Sequence, residues 1–148
     1  MEVVVATMVM ALTITSSLQV LQRGLTAIDT ARNTTLAGQI LQSQMEKLRL
    51  LTWSQLTGAS GPMTLATFTP DITAVGSSTQ VSKFTTAGGG SCTQSLSYDT
   101  AYDVAGQHTM VNITLTATWS GIDNIQRSRI YSTRYAKNGI SDFFYTAH

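Results

Sequence analysis

A run of uncharged residues near the N-terminus restricts what this chain can fold into more than any other feature. The run extends from Val3 to Gln22, follows the carboxylate of Glu2 and ends at Arg23. About 20 residues of α-helix are needed to cross the hydrocarbon core of a bilayer. Five polar residues make its second half less apolar, namely Thr13, Thr15, Ser16, Ser17 and Gln19. The length of the run therefore predicts a membrane-spanning helix.

Two other interpretations of this run agree less well with its charges. A secretory signal peptide begins with positive charge and ends at a small-residue cleavage site, whereas the flank here is acidic. A buried core helix rarely begins with a carboxylate, because an unpaired Glu in an apolar layer is costly. Glu2 therefore needs a partner. The simplest partner at a helix tip is a free α-amino group, either its own or that of a neighbouring subunit.

A helical pattern with one apolar face follows the uncharged run. Between Leu36 and Leu56 apolar residues recur at three- to five-residue steps, and glutamines and charged residues fill the other side. No proline precedes Pro62, so the sequence predicts one nearly continuous helix from Glu2 to Leu56. At 1.5 Å per residue this helix would be about 80 Å long. The breakers of Gly58–Pro62 end it.

Helical periodicity disappears after Pro62, where Thr, Ser and Gly dominate the sequence. The clearest strand is Thr109–Trp119, in which apolar and polar residues alternate. A five-residue loop, Ser120–Asn124, connects it to a return strand at Ile125–Ala136. Gly88–Ser91 is predicted to be a loop. Weaker strands are predicted at Met63–Phe68, Thr79–Phe84 and Leu96–Val104.

The apolar faces of the helix and of the sheet cannot both remain in water, so we expect them to pack together. The predicted fold is α+β, with a long N-terminal α-helix packed on a small antiparallel β-sheet domain of roughly three to five strands. Three regions follow from these patterns. They are an apolar helix half at 1–24, an amphipathic helix half at 25–57 and a globular sheet domain at 58–148.

This organisation resembles that of type IV pilins and the related pseudopilins. Residues Met1–Ala6 are similar to the core of their N-terminal signature, in which an apolar residue precedes a Glu and an apolar run. Ala37–Arg49 resembles the second half of the helix in minor-pilin-like members, and Val111–Trp119 followed by Arg127–Arg129 resembles their terminal hairpin. The family's common proline is replaced by Gln22.

The resemblance implies a structural subunit of an extracellular, helical, type IV pilus-like filament. In this family a prepilin peptidase removes a short basic leader, and the new N-terminus is methylated. The subunit spans the inner membrane once before assembly machinery adds it to the homo-oligomer. The family's Glu, at the fifth mature position, then pairs with a neighbour's N-terminal amine. Because Glu is second here, we expect either that three residues precede Met1 or that the N-terminal chemistry differs.

The assembly surface is predicted to lie on the apolar helix half. It comprises Met1, Glu2, Val3, Val4, Val5, Met8, Val9, Leu12, Ile14, Leu18 and Leu21. The alternatives are a pseudopilin of a type II secretion system and a membrane-tethered periplasmic binding module. Glu2 argues against a simple tether, which has no use for a carboxylate at its apolar end. Adhesion, motility, DNA uptake and secretion are all compatible roles, for a major or a minor subunit.

The sequence contains no recognisable catalytic or metal-binding motif. Cys92, the single cysteine, follows a glycine run and has no companion His motif, so we interpret it as a buried or idle loop thiol. His108 and His148 lie far apart in the sequence. Asp99 and Asp103 lack the Asp-rich 12-residue pattern of a calcium loop. We therefore predict that the chain is not an enzyme and needs no metal or cofactor.

The formal charge of +1 gives the chain no overall field that would attract nucleic acid. The last 22 residues carry a net +3 among several aromatic side chains, a combination that can bind single-stranded nucleic acid. Contacts between subunits are the favoured interpretation, because residues 50–126 carry four acids and one lysine and would complement this end. Asn33 and Asn112 each begin an N-glycosylation triplet, and surface Ser and Thr could carry O-linked sugars.

Overall fold

One long helix, α1 (Glu2–Arg49), dominates the computed structural model, which describes residues 2–58, 66–70 and 78–139. Its 48 residues span about 72 Å at 1.5 Å per residue. Buried positions occur only in its second half, beginning at Asn33. The apolar residues among them recur at three- and four-residue steps, which places them on one face: Leu36, Ala37, Ile40, Leu41, Met45 and Leu48.

A four-stranded antiparallel sheet covers this face of α1. In the order of the sheet its strands are β1 (Ala66–Thr67), β2 (Ser91–Tyr98), β3 (Met110–Ser120) and β4 (Gln126–Ala136). Leu115 in β3 lies opposite Gln94 in β2 and Tyr131 in β4. Every second residue of β3 is buried against the helix, namely Val111, Ile113, Leu115, Ala117 and Trp119. The prediction of an α+β fold, with a long helix on a small antiparallel sheet, is confirmed.

The core lies between the second half of α1 and the sheet. The rings of Phe84 and Trp119 pack at a centroid distance of 5.5 Å. Gly38 of α1 lies beside β4, since a Cβ atom there would be in ordinary contact, 3.4 Å, with the hydroxyl of Tyr131. The described core contains no residue from the first half of α1.

The prediction of one helix continuing to Leu56 is wrong. The long helix ends earlier, and a separate short helix, α2 (Trp53–Thr57), follows. A capping box starts α2: Thr52 accepts a hydrogen bond from the backbone N–H of Gln55, whose side chain accepts one from the backbone N–H of Thr52. This reciprocal pair stabilises an extended conformation at Thr52, and the helix cannot continue through it.

The strand predicted at Thr79–Phe84 is also wrong, because this segment is helical. A short helix, α3 (Ser78–Val81), leads directly into a 3-10 turn at Ser82–Phe84. Val81 and Phe84 are both buried. Their three-residue spacing places both side chains on one side of a helical turn, whereas a strand would place them on opposite faces.

The other strand predictions are right in part. Thr109–Trp119 and Ile125–Ala136 correspond to β3 and β4, which are displaced by one residue at most at each end. The segment Leu96–Val104 is extended only to the end of β2, and a 3-10 turn at Thr100–Tyr102 follows. The predicted loop at Gly88–Ser91 ends one residue earlier, at Gly90, because Ser91 is the first residue of β2. Of Met63–Phe68, residues 63–65 lie outside the described residues and 66–67 form β1.

Candidate functional site

The first half of α1 projects from the rest of the described chain with its apolar side chains uncovered. Val3 is 75% exposed and Leu21 is 60% exposed. The same is true of the other described apolar residues of the predicted assembly surface: Val4, Val5, Met8, Val9, Leu12, Ile14 and Leu18. Met1 lies outside the described residues. A continuous apolar surface of this size marks a site that contacts a membrane or another protein.

The helix α1 is long enough and apolar enough to cross a membrane once. Membrane anchors and signal sequences both meet this criterion of length and composition. Residues 3–22 span about 30 Å as helix, which equals the thickness of a bilayer's hydrocarbon core. Glu2 lies at the exposed tip of this segment, and no described residue forms an ion pair with it. A carboxylate in the first turn complements the positive end of the helix dipole.

Four hydroxyl side chains in the first half of α1, residues 2–24, which we call the bare half, are satisfied within the helix. Thr13 donates to the carbonyl of Met10 at 2.8 Å, and Thr15 donates to the carbonyl of Ala11 at 2.8 Å. Thr7 and Ser16 make the same kind of bond. A hydroxyl bonded to its own helix can enter an apolar environment without leaving an unsatisfied donor. These residues therefore weaken the apolar character of the segment less than their polarity suggests.

Asp29 marks the point where α1 reaches the sheet domain. Its carboxylate accepts a hydrogen bond from the Lys83 ammonium at 3.0 Å and one from the backbone N–H of Ile122 at 3.3 Å. Burial would raise the pKa of Asp29, but these bonds outweigh it and lower the pKa below its ordinary value. One carboxylate thus links α1 to the 3-10 turn that follows α3 and to the loop between β3 and β4. Sequence reasoning missed this contact, since its partners are far apart in the chain.

A second ion pair stiffens the β3–β4 loop that Asp29 holds. Arg127 donates to both carboxylate oxygens of Asp123, at 2.9 and 2.7 Å, and also to the carbonyl of Ile125. The Arg127 hydrogen bonds hold the pKa of Asp123 well below its ordinary value. The pair ties the loop to the start of β4, and the loop contacts α1 through the backbone N–H of Ile122.

The candidate reactive residues are engaged or buried. Cys92 lies in β2 and not in a loop, and burial raises the pKa of its thiol to about 11, so the thiolate needed for nucleophilic attack does not form near neutral pH. His108 stacks on Tyr98 at 3.8 Å and contacts Asp103 at 2.9 Å. Within 2–58, 66–70 and 78–139, no three potential metal ligands come together. His148 lies outside these ranges.

The basic residues of the C-terminal region do not form a single open patch among the described residues. Arg134 pairs with Asp99 at 3.4 Å, and its guanidinium lies over the ring of Tyr102. Arg129 lies over the ring of Tyr131 at 5.5 Å. Three of the aromatic residues in the predicted combination, Phe143, Phe144 and Tyr145, lie outside the described residues. The described part of this region therefore gives no specific support to nucleic-acid binding.

The two N-glycosylation triplets differ in accessibility. Asn33 is 3% exposed on the buried face of α1, so its side chain has no room for a glycan. Asn112 lies in β3 on the face turned away from α1, where its side chain accepts a hydrogen bond from Arg134 at 3.3 Å. That face carries many hydroxyl side chains, in keeping with a polar, solvated surface.

Comparisons of the chain with protein-family models, with curated proteins and with solved structures found no match. The fold and the bare helix therefore define its class: an α+β head on a long helix whose apolar half extends beyond the head. The apolar surface that no described residue covers is its candidate functional site.

Proposed function

We propose that this chain is a structural subunit of a type IV pilus-like filament, the extracellular polymer of its own copies. The observation that carries the proposal is the uncovered apolar half of α1 with Glu2 at its tip. A membrane covers this surface before assembly, and the helices of neighbouring copies cover it afterwards. The sheet domain, linked to the helix at Asp29, then forms the outside of the fibre.

The energetics of this surface favour a packed fibre core. Each large apolar side chain that is fully buried contributes roughly 1.5–3 kcal/mol, so the eleven exposed large apolar residues from Val3 to Leu21 give an upper limit on the order of tens of kcal/mol per subunit. Lipid already shelters the same surface before assembly, so most of this energy is not gained on leaving the bilayer. We therefore expect an energy-driven assembly machine in the inner membrane and a fibre that dissociates slowly.

In this proposal Glu2 sets the register, which is the axial stagger between the helices of neighbouring subunits. A carboxylate that is unpaired in an apolar core is strongly unfavourable, whereas a pair with a neighbour's α-amino group removes much of that penalty. Only a stagger that brings the two groups together is then tolerated, so incorrect staggers are rejected. Methylation of the N-terminus and removal of a leader by a prepilin peptidase belong to the same proposal.

The role proposed here is structural and not catalytic. The described cysteine and histidine give no support to catalysis, since Cys92 is buried and His108 is stacked on Tyr98. A pseudopilin of a secretion system would use the same helix in a shorter fibre. A membrane-tethered binding module would use it only as an anchor, and the following experiment separates the tether from the polymer.

The test is replacement of Glu2 by Gln or Ala in the full chain, with Glu46→Gln as the matched control. Glu46 is an exposed carboxylate on the second half of α1, residues 25–49, which we call the covered half, and it pairs with Arg49 of the same helix at 3.1 Å. Fibres sheared from cells are quantified by sedimentation, and membrane insertion is measured by carbonate extraction. We expect Glu2 variants to insert normally and to give few or no fibres, while Glu46→Gln assembles like the parent chain.

Normal fibre yield from Glu2→Ala would show that the carboxylate does not set the register. Recovery of the parent chain solely as a monomeric membrane protein would contradict the polymer and favour the tether. Short fibres confined to the cell envelope would identify the pseudopilin alternative.

A further inference from the structure

An open groove lies where α1 emerges from the sheet domain. Its volume is about 730 Å³. One wall is the face of α1 between Gln19 and Ala31, and Arg127 of β4 forms the opposite side. The polar side chains of its lining are Gln19, Gln22, Arg23, Thr26, Thr30 and Arg127. None of the described residues that line the groove is acidic.

The height of the groove on α1 matches the headgroup layer of a membrane. If residues 3–22 fill the hydrocarbon core, Gln22 lies at its boundary and Arg23 is the first residue beyond it. Thr26 and Thr30 then lie about 6 and 12 Å from Gln22 along the helix axis. The lower part of the groove therefore opens at the level where phospholipid phosphates are found, directly above the apolar surface of α1.

Arginine side chains supply the donors that a phosphate requires. Arg23 is exposed and forms no ion pair with another described residue, so its charge is uncompensated. Arg127 is held in one orientation because Asp123 and the carbonyl of Ile125 engage three of its N–H groups. A guanidinium has five N–H donors, so two are not used by these contacts. Because Asp123 offsets the charge of Arg127, Arg23 supplies the net positive charge of the groove. Planar guanidinium groups suit phosphate oxygens well.

We propose that this groove binds the phosphate of an anionic phospholipid from the leaflet beside the sheet domain. The inference rests on the membrane-inserted stage of the proposed function. The acyl chains of the bound lipid continue along the apolar surface of α1 below Arg23. A net negative headgroup is favoured over a zwitterionic one, because the uncompensated charge of Arg23 repels a choline ammonium. Binding fixes the depth and tilt at which the sheet domain meets the bilayer.

The experiment uses the full chain in nanodiscs of phosphatidylcholine that contain a minor fraction of phosphatidylglycerol. After extraction into a mild detergent, native mass spectrometry counts the lipid that remains bound. We expect the parent chain to retain phosphatidylglycerol in preference to phosphatidylcholine. Arg23→Gln should lower this retention by about tenfold, the factor expected for loss of one charge-assisted hydrogen bond. Arg23→Lys should restore most of it.

Two further variants separate groove binding from general charge. Arg32→Gln removes the same charge from an exposed position about two and a half turns farther along α1, outside the groove, and should retain the lipid. Ala27→Phe fills the groove without changing its charge and should release it. Circular dichroism of each variant confirms that α1 is intact.

If Arg23→Gln and Arg32→Gln lose equal amounts of bound phosphatidylglycerol, the proposal is overturned, because net charge alone would then explain binding. Retention by Ala27→Phe would overturn it as well. Displacement of phosphatidylglycerol by millimolar inorganic phosphate would identify a free-anion site in place of a lipid site. Fibre yield is scored separately, so a chain that makes no fibres but shows these lipid differences contradicts the proposed function and not the groove.

Discussion

The two halves of α1 belong to one unbroken helix but meet different surroundings. From Asn33 to Leu48 the helix buries one face under the sheet, and the other face is polar. From Val3 to Leu21 no described residue covers it, although it is the more apolar half. Among the described residues, the core thus forms on the less apolar half of α1, and the more apolar half is left uncovered. The proposed function explains this difference by assigning the covering of the bare half to a membrane and then to neighbouring copies.

The largest effect should come from a charge placed in the bare half. We expect Leu12→Lys to abolish fibre formation, because a lysine inside an apolar helical core cannot be solvated or paired there. The free energy of unfolding of the sheet domain should change by less than about 0.5 kcal/mol, since Leu12 touches none of it. Gln42→Lys, an exposed change in the covered half, is the control. Parent-like fibres from Leu12→Lys would show that the two halves do not divide these tasks.

The second prediction concerns a cavity made in the core between the covered half of α1 and the sheet. Trp119 is 2% exposed and packs on Phe84. Trp119→Ala should lower the free energy of unfolding by about 3–5 kcal/mol, through lost burial and a residual cavity. Ile130, which is exposed on β4, gives the control Ile130→Ala with a change of about 0.5 kcal/mol or less. Urea unfolding of the full chain in detergent measures both, and membrane insertion should be unchanged in both variants.

Two glycines sharpen the contrast at a smaller scale. A Cβ at Gly90 would lie 2.2 Å from the carbonyl oxygen of Lys83 and 2.4 Å from that of Thr118, so Gly90→Ala should cost about 1–3 kcal/mol. Gly24 lies in the bare half with no neighbour within 4 Å of such a Cβ. Gly24→Ala should instead stabilise the helix by about 1 kcal/mol. Thermal unfolding in detergent measures the stability of both variants. An equal loss of stability in Gly90→Ala and Gly24→Ala would contradict the difference in packing.

The smallest effect is expected at the junction of the two halves. Asp29→Asn should lower stability by about 1 kcal/mol, since it weakens a partly exposed ion pair with Lys83. Because the folded-state pKa of Asp29 is lowered, its contribution is present above the unfolded pKa of about 4 and is lost as the pH falls below that value. Stability measured from neutral to acidic pH should therefore converge for the parent and Asp29→Asn. A constant difference across that range would exclude the carboxylate as its source.

The parts of this fold with strong periodicity could be predicted from the sequence. Strict alternation in Thr109–Trp119 fixes both the strand and its buried face, because side chains in a strand point to opposite sides in turn. The uncharged run after Glu2 likewise predicts an exposed apolar surface. Both signals are local in the sequence, so no distant partner is needed to recognise them.

Predictions failed in two situations. In one, a short segment has a pattern that is compatible with both a strand and a helical turn. In the other, a residue far away in the chain determines the local structure. Val81 and Phe84 are three residues apart, a spacing that helical turns also use, and their burial favours the turn. At Leu51 the carbonyl accepts a hydrogen bond from the Tyr135 hydroxyl at 2.9 Å, a contact that supports the break after α1. The links from Asp29 to Lys83 and Ile122 have no periodic signal, so only the folded arrangement shows them.

The surroundings of the bare half are tested most directly by electron cryomicroscopy of fibres sheared from cells that express this chain. We expect a helical fibre whose main component, by mass spectrometry, is this chain. Val3–Leu21 should lie in its core against the same segment of neighbouring copies, with the sheet domain outside. A preparation that contains this chain only as a monomer in membranes, or a fibre whose core excludes Val3–Leu21, would contradict the proposal.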